Sequence, residues 1–214
     1  MKHIKKLDSC FIYDILEKMF IMKRLLLILI LTLSFHTLTK ADDISDFEIE
    51  GMSIGDSLLD FYSHDEITSL RRLSGSYYKD NKFLVMILKN KYENYDEVEV
   101  TIIPNDKLFV IHSLDGIVNF ENNYEKCKKE KLNIVDEIKN LYKDAYTYNE
   151  EGPHSGFPNS ILDETTFFPK YGGYVRISCT NWSTKMEKQK EWKDGLDVTI
   201  GSDKFKKFLQ NEAY

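Results

Sequence analysis

The sequence predicts an α+β fold in which an antiparallel sheet, built from two three-stranded meanders, packs against one long amphipathic helix, with short helices at both ends. Three observations favour this fold. Strand-like segments separated by turn residues lie on both sides of residues 122–146. Residues 122–146 carry apolar side chains at helical spacing. Thirteen Phe and thirteen Tyr, against four Pro, indicate a folded core rather than disorder.

The first elements are short. Residues 47–50 alternate apolar and acidic side chains, which is typical of an edge strand. Residues 52–62 are predicted to form a short helix with Asp56 as its N-cap, because a short carboxylate accepts hydrogen bonds from the free N–H groups of a first turn. Residues 63–82 are polar and are predicted to form a loop with a turn of helix.

The first meander is predicted at residues 83–89, 97–103 and 107–113. The middle strand alternates apolar side chains with acidic ones, as expected where one face of a strand is buried. Turn-forming residues at 94–96 and 104–106 separate the three strands.

Residues 122–146 give the clearest helical pattern. Asn122, with Glu125 three residues later, resembles a capping box. One stripe at helical spacing is formed by Tyr124, Cys127, Lys131, Ile134, Ile138, Leu141 and Ala145. We expect this stripe to cover the sheet.

The second meander is predicted at residues 161–168, 174–182 and 196–200. Residues 149–159 contain repeated Gly and Pro and are predicted to be the loop before it. Trp182 and Trp192 bracket a charged segment, residues 183–194, and we expect one indole in the core and the other at a contact surface. Ser202 is predicted to cap a short C-terminal helix. Because a helix precedes a meander in both halves, the order suggests an internal repeat.

Residues 22–41 have the three parts of a secretory signal peptide. A positively charged start is followed by an apolar run at residues 25–35 and by small side chains at Thr39 and Ala41. The run is shorter than the roughly 20 residues that a membrane span needs. The sequence therefore predicts cleavage after Ala41 and a periplasmic or secreted protein without a stable membrane anchor; the alternative is an uncleaved anchor.

The signal defines the predicted organisation of the chain. Translation is predicted to begin at Met22, which makes residues 1–21 an artefactual extension. Residues 42–214 are long enough for a single exported globular domain with a sizeable core. Since seven of the 29 basic and three of the 35 acidic residues precede residue 42, this domain has a formal net charge of −10. That charge disfavours nucleic acid and anionic membrane as partners and favours cationic partners, with a solvated acidic surface as the alternative interpretation.

Residues 42–214 contain two cysteines, Cys127 on the helical stripe and Cys179 in a predicted strand. Disulfides persist in oxidising compartments outside the cytoplasm. We therefore expect a disulfide between the long helix and the second meander, with two buried thiols as the alternative. Neither cysteine belongs to a CxxC motif, so the sequence does not indicate thiol-exchange chemistry.

The sequence predicts no cofactor and no metal site. His64, His112 and His154 are far apart and lack the spacing of a zinc site. The best candidate contact surface is the loop of residues 149–160, in which His154 and Phe157 lie between Gly and Pro, because loops often carry binding residues.

Residues 55–58, Gly-Asp-Ser-Leu, resemble the first block of the GDSL esterases and lipases. The resemblance implies ester hydrolysis with Ser57 as nucleophile, Asn105 in the oxyanion hole and His154 as base. The Gly of the family's second block and the Asp of its last block are missing here. The alternative interpretation of the same four residues is a strand-to-helix turn.

Residues 47–60 are similar to the start of small exported proteins from AT-rich marine bacteria, and the closing residues 211–214 agree with them. That resemblance covers residues 42–214 and implies no activity. We therefore expect a non-catalytic exported domain that binds a protein or an envelope component. The alternatives are the ester hydrolase with Ser57 and a small-molecule carrier that uses the space between sheet and helix.

Overall fold

One antiparallel sheet of eight strands forms the centre of the fold. A computed structural model describes residues 44–89, 92–120, 123–190 and 192–213, and these residues belong to one compact unit. The strands are β1 Glu48–Ile49, β2 Met52–Ser53, β3 Ser76–Tyr77, β4 Leu84–Leu88, β5 Glu97–Ile102, β6 Ile111–Asn119, β7 Tyr146–Pro153, β8 Ile161–Phe168, β9 Tyr174–Asn181 and β10 Gly195–Gly201. The helices are α1 His64–Ser74, α2 Tyr124–Leu141, α3 Thr184–Lys190 and α4 Asp203–Asn211.

The strand order in the sheet is β3-β4-β5-β6-β10-β9-β8-β7, and β1 pairs with β2 in a separate two-stranded sheet. Each half of the chain places one helix before a four-stranded meander: α1 precedes β3 to β6, and α2 precedes β7 to β10. The last strands of the two meanders, β6 and β10, pair antiparallel at the centre. The two halves therefore share one topology and build a continuous sheet.

The predicted α+β class with a large antiparallel sheet is confirmed, but two details of the prediction are wrong. The sheet is a single eight-stranded one beside a two-stranded one, rather than two three-stranded meanders. The described residues form four helices of 11, 18, 7 and 9 residues, rather than one long helix with a short helix at each end. None of these described helices combines the length and apolarity that a membrane crossing requires.

Two strands that the sequence did not predict, β3 and β7, form the edges of the eight-stranded sheet, and the strand predicted at 107–113 lies instead at Ile111–Asn119. β7 begins before the predicted loop at 149–159 and occupies its first half, and β3 lies in the predicted loop at 63–82. Every side chain of β7 is exposed or half-exposed. Without a buried face, nothing requires the apolar alternation by which a strand is recognised in sequence.

Helix α1 also lies in the predicted loop. The side chain of Ser63 accepts a hydrogen bond from the N–H of Glu66, and the Glu66 carboxylate accepts one from the N–H of Ser63. This capping box satisfies free donors at the helix start. The buried side chains of α1 are Ile67 and Leu70. Two residues form a stripe too narrow to indicate a helix by periodicity.

Residues 52–62 do not form the predicted helix. β2 begins the segment, and a 3₁₀ turn at Leu58–Asp60 ends it. Ser57 caps this turn, while Asp56 accepts a hydrogen bond from the N–H of Ser53 at 2.8 Å. Asp56 therefore closes the turn after β2 and is not the predicted N-cap.

Helix α2 packs across β9 and β10. Its N-cap is Asn123, whereas the predicted cap, Asn122, lies outside the described residues. Its buried side chains are Cys127, Lys131, Val135 and Ile138. Leu141 was predicted on this stripe but is 51% exposed, because the helix ends there and Tyr142 turns into the core instead.

A disulfide joins Cys127 of α2 to Cys179 of β9, as predicted, with the two Cα atoms 6.0 Å apart. Lys131, one turn further along α2, is 3% exposed and forms an ion pair with Asp163 of β8. Asp163 is the register partner of Cys179. The covalent bond and the ion pair therefore fix α2 at neighbouring points of the second meander.

The two faces of the sheet differ in character. Buried side chains of α1 and α2 pack with apolar side chains of the central strands in one continuous core. On the opposite face, α4 starts at its predicted cap, Ser202, and packs Phe205 and Phe208 against Phe83 and Tyr174 at one end of the sheet. The centre of this second face is polar. The predicted signal peptide, residues 22–41, and the predicted extension, residues 1–21, lie outside the described residues.

Candidate functional site

Three side chains on neighbouring strands form a row across the polar face, hereafter the first row: Glu97, Ile117 and Asp197. Glu97 of β5 and Asp197 of β10 are both register partners of Ile117 of β6. Direct partners in an antiparallel pair project from the same face with their Cβ atoms about 5 Å apart. Glu99 follows Glu97 by two residues on β5 and therefore projects from the same face. Three carboxylates and one apolar side chain thus share a small area of the sheet.

Beside the first row, the charged side chains of Asp115, Arg176 and Glu164 interact with one another. The Thr199 hydroxyl donates a hydrogen bond to an Asp115 carboxylate oxygen at 2.6 Å, and a guanidinium nitrogen of Arg176 lies 3.9 Å from the same oxygen. The Arg176 Nε lies 4.0 Å from a Glu164 carboxylate oxygen. Arg176 is therefore the ion-pair partner of Asp115 and Glu164, which lie beside the first row.

Four rings form an aromatic cluster at the end of the polar face opposite α4. The indoles of Trp182 and Trp192 are 4.6 Å apart between centroids. Phe157 contacts both indoles edge-on, at 5.3 and 5.0 Å, and His154 lies 5.5 Å from Trp182. The predicted contact residues His154 and Phe157 therefore pack against the tryptophans: Phe157 contacts both indoles, and His154 contacts Trp182.

Asp194 fixes the backbone on both sides of this aromatic cluster. It is 5% exposed, and its carboxylate accepts a hydrogen bond from the N–H of Trp182 at 2.7 Å. Its backbone carbonyl accepts another from the N–H of Phe120, also at 2.7 Å. Because buried carboxylates that accept backbone hydrogen bonds are held rigidly, Asp194 positions Trp182 and the start of β10 together.

The first row and the two indoles enclose a cleft of about 340 Å³, hereafter the acidic cleft. Its lining is Glu97, Glu99, Ile117, Asn119, Trp182, Trp192, Lys193, Gly195 and Asp197. The volume lies at the lower end of the range for small-molecule sites. Within the described residues, the carboxylates of Glu97, Glu99 and Asp197 make no side-chain hydrogen bond and no ion pair within 4.0 Å.

Burial and mutual repulsion make ionisation of the cleft carboxylates costly. Burial, followed by the charges of Asp115, Glu97 and Asp197, raises the pKa of Glu99 from 4.5 to about 7. Burial also raises the pKa of Asp197 to about 6, with repulsion from Asp115 and Glu97 added and Arg176 opposing. Burial alone raises the pKa of Glu97. A cation bound in the acidic cleft therefore stabilises the ionised form of these carboxylates.

The residues predicted for ester hydrolysis occupy separate environments. The Ser57 hydroxyl donates to the carbonyl of Leu108 at 2.6 Å and accepts from the N–H of Leu59. Asn105 is exposed in the connection between β5 and β6. His154 belongs to the aromatic cluster, where its Nδ1 accepts a hydrogen bond from Gly156. In the described part of the chain, no hydrogen bond links Ser57, Asn105 and His154.

The three histidines after residue 42 are likewise apart. His64 contacts Phe109 edge-on, and His112 shares a hydrogen bond with the Ser202 hydroxyl at the start of α4. Burial lowers the pKa of both His112 and His154. Among the described residues, no three His, Cys, Asp or Glu side chains are grouped so as to hold a metal ion.

Sequence analysis did not identify the acidic cleft as a site. In the sequence, Glu97 and Glu99 indicate only the alternation of a strand with one buried face, and Asp197 stands alone between apolar residues. Of the two tryptophans, one was predicted as core and one as contact, whereas both line the cleft. No protein-family model, curated protein or solved structure matches the chain.

Proposed function

We propose that this chain is a non-catalytic exported binding domain, periplasmic or secreted, that holds a small organic cation in the acidic cleft. The observation that carries this function is the lining itself. Two indoles line the same cleft as three carboxylates, and these carboxylates have neither a hydrogen-bond donor nor an ion-pair partner among the described residues. Such a lining combines the two features by which proteins hold organic ammonium groups.

The charge balance of the acidic cleft favours a cation over a neutral ligand. Glu97, Glu99 and Asp197 oppose one cationic lining residue, Lys193. The raised pKa values of Glu99 and Asp197 mean that ionising each costs roughly 3 kcal/mol, since one pKa unit corresponds to about 1.4 kcal/mol. A bound cation offsets part of this cost, whereas a sugar or another neutral ligand leaves it in place.

The tryptophans favour an organic cation over a small inorganic one. An alkylammonium group gains from the face of an indole and also buries its methylene or methyl groups there. Trp182 and Trp192 lie in contact at 45° to each other, so they form a corner rather than the flat platform that a sugar ring stacks on.

Export is supported by two independent features. Residues 22–41 have the pattern of a signal peptide. Cys127 and Cys179 form a disulfide, a bond that persists in oxidising compartments outside the cytoplasm. Secretion of the chain from its native host, followed by mass measurement of the mature N-terminus, tests this part; a cytoplasmic full-length product would contradict it.

Isothermal titration calorimetry tests the ligand class with a matched pair of probes. Choline and 3,3-dimethylbutan-1-ol have the same shape, but only choline is charged. We expect the purified chain to bind choline at pH 8 and to bind the alcohol at least about tenfold more weakly, the value of one charge-assisted contact. Equal binding of the two probes, or binding of neither, would contradict the proposed function.

Two charge-neutralising variants localise the binding. Glu97→Gln removes a charge from the acidic cleft, and Glu137→Gln removes the same charge from an exposed position on α2. We expect Glu97→Gln to weaken choline binding and Glu137→Gln to leave it unchanged. The same loss in both variants would mean that the net charge of the protein, not the cleft, attracts the cation.

A second candidate function, acid–base catalysis on a glycoside, is favoured by one observation. Glu99 has a pKa of about 7 and lies two residues from Glu97 on the same face, so a carboxyl that holds its proton near neutral pH lies beside a second carboxyl. Hydrolysis of aryl glycosides that disappears in Glu99→Gln would establish it. Absence of hydrolysis together with choline binding supports the non-catalytic function.

A further inference from the structure

The two ends of the acidic cleft carry separate negative charges. Glu97 lies on β5 and Asp197 on β10, with β6 between them. Neighbouring strands are about 4.8 Å apart, so the backbones at these two residues are about 10 Å apart. An ion pair requires a nitrogen and an oxygen within about 4 Å. One compact ammonium group therefore pairs well with one end of the cleft and poorly with the other.

The space between the two charges is apolar. Ile117 lies directly between Glu97 and Asp197 in the register of the sheet and lines the cleft. Trp182 and Trp192 complete the walls, and both are half-buried. A polar or charged group in the middle of a ligand would lose its hydration against these side chains, whereas a chain of methylene groups gains from contact with them.

The acidic cleft therefore presents a carboxylate, an apolar floor and a second carboxylate in a straight row. Glu99 adds negative charge at the β5 end. Arg176 does not neutralise the β10 end by contact, because its guanidinium lies within 4.0 Å of Asp115 and Glu164 in the neighbouring part of the face. We infer that the ligand of this cleft is a linear diamine, an unbranched alkyl chain with an ammonium group at each end. This inference rests on the proposed function, since it specifies the cation.

A homologous series of probes tests the inference. The probes are α,ω-diaminoalkanes with three to eight carbons, each compared by calorimetry with the straight-chain monoamine of the same carbon number. We expect an optimal chain length at which the diamine binds about 10 to 100 times more tightly than its monoamine, the contribution of a second charge-assisted contact. Shorter and longer diamines should lose this advantage, because the row of Glu97, Ile117 and Asp197 has a fixed length.

Variants at the two ends identify the partners of the two ammonium groups. In Asp197→Asn, and separately in the double variant Glu97→Gln, Glu99→Gln, the diamine should bind within about twofold of the monoamine, since one end of the cleft has lost its charge. Glu137→Gln should keep the full advantage of the diamine. Replacing a carboxylate by its amide relieves repulsion in the cleft, and a thermal melt of each variant verifies that it is folded.

The outcomes separate this inference from the proposed function. Monoamines that bind as tightly as diamines at every length would overturn the diamine while leaving an organic cation in place. A diamine advantage that survives in Asp197→Asn would overturn the assignment of the row. If neither series binds, the proposed function fails and the inference fails with it.

Discussion

Glu99 of β5 and Asp115 of β6 face each other as direct register partners at the centre of the polar face. After burial, the charge of Asp115 is the largest cause of the raised pKa of Glu99. Like charges placed directly opposite in a sheet destabilise it. The fold therefore retains a costly pair of carboxylates beside the acidic cleft.

The cost should appear as a pH dependence of stability. The pKa of Glu99 is about 7 in the folded chain against an ordinary value of 4.5. The penalty is therefore absent below about pH 4.5, grows as the pH rises to 7 and is complete above it. We expect Glu99→Gln to be more stable than the wild type by roughly 3 kcal/mol at pH 8 and nearly equal to it at pH 4, measured by urea denaturation.

The matched control is Glu137→Gln on α2. Glu137 is exposed to solvent, so the stability of this variant should follow that of the wild type at both pH values. A Glu99→Gln variant that is less stable than the wild type at pH 8 would show that the carboxylate stabilises the fold.

Phe157 should strengthen ligand binding indirectly, by holding Trp182 and Trp192 in position. It packs edge-on against Trp182 and Trp192 without lining the acidic cleft. We expect Phe157→Ala to weaken choline binding about tenfold, because a loosened wall loses its preorganised contacts. Phe61→Ala, at an exposed position distant in sequence, serves as the control. Unchanged affinity in Phe157→Ala would contradict the supporting role.

Lys131 should be essential for the attachment of α2. It is 3% exposed, and its ammonium pairs with the Asp163 carboxylate. Lys131→Met should cost roughly 2 to 3 kcal/mol, below the usual cost for a fully buried pair, because it leaves the partly buried Asp163 carboxylate without its partner. The double variant Lys131→Met, Asp163→Leu should recover most of this stability, and the exposed Lys129→Met should cost little. A single variant as stable as the wild type in urea would contradict the role of this ion pair.

Ser57 should be structural. Its hydroxyl joins the 3₁₀ turn at Leu58–Asp60 to the carbonyl of Leu108. We expect Ser57→Ala to lower stability by about 1 to 2 kcal/mol, the usual cost of losing a cap, and to leave choline binding unchanged. The assay that distinguishes this role from a nucleophile is hydrolysis of p-nitrophenyl esters. Hydrolysis by the wild type that is abolished in Ser57→Ala would restore the ester hydrolase.

The sequence predicted those elements that bury an apolar face. The central strands β4 and β5, helix α2 and helix α4 follow from periodicity. The Cys127–Cys179 disulfide follows from an isolated pair of cysteines in a chain that carries a predicted signal peptide. β7 and α1 bury little, so tertiary pairing and a capping box determine them instead. Such features leave only a weak trace in the sequence.

The acidic cleft could not be predicted because it depends on strand register. Glu97 and Asp197 are 100 residues apart along the chain and become neighbours of Ile117 only when β6 pairs with both β5 and β10. The aromatic cluster likewise joins two segments, since Phe157 precedes β8 and Trp192 precedes β10. The charge pattern along any one strand shows a solvated face and no more.

Tryptophan fluorescence tests the central claim most directly, because the chain contains two tryptophans and both line the acidic cleft. At pH 8, titration with choline should change the emission saturably, and 3,3-dimethylbutan-1-ol at the same concentrations should leave it nearly unchanged. The choline response should be weakened in Glu97→Gln and kept in Glu137→Gln. Identical responses to the charged and the neutral probe would contradict an organic cation as the ligand of this cleft.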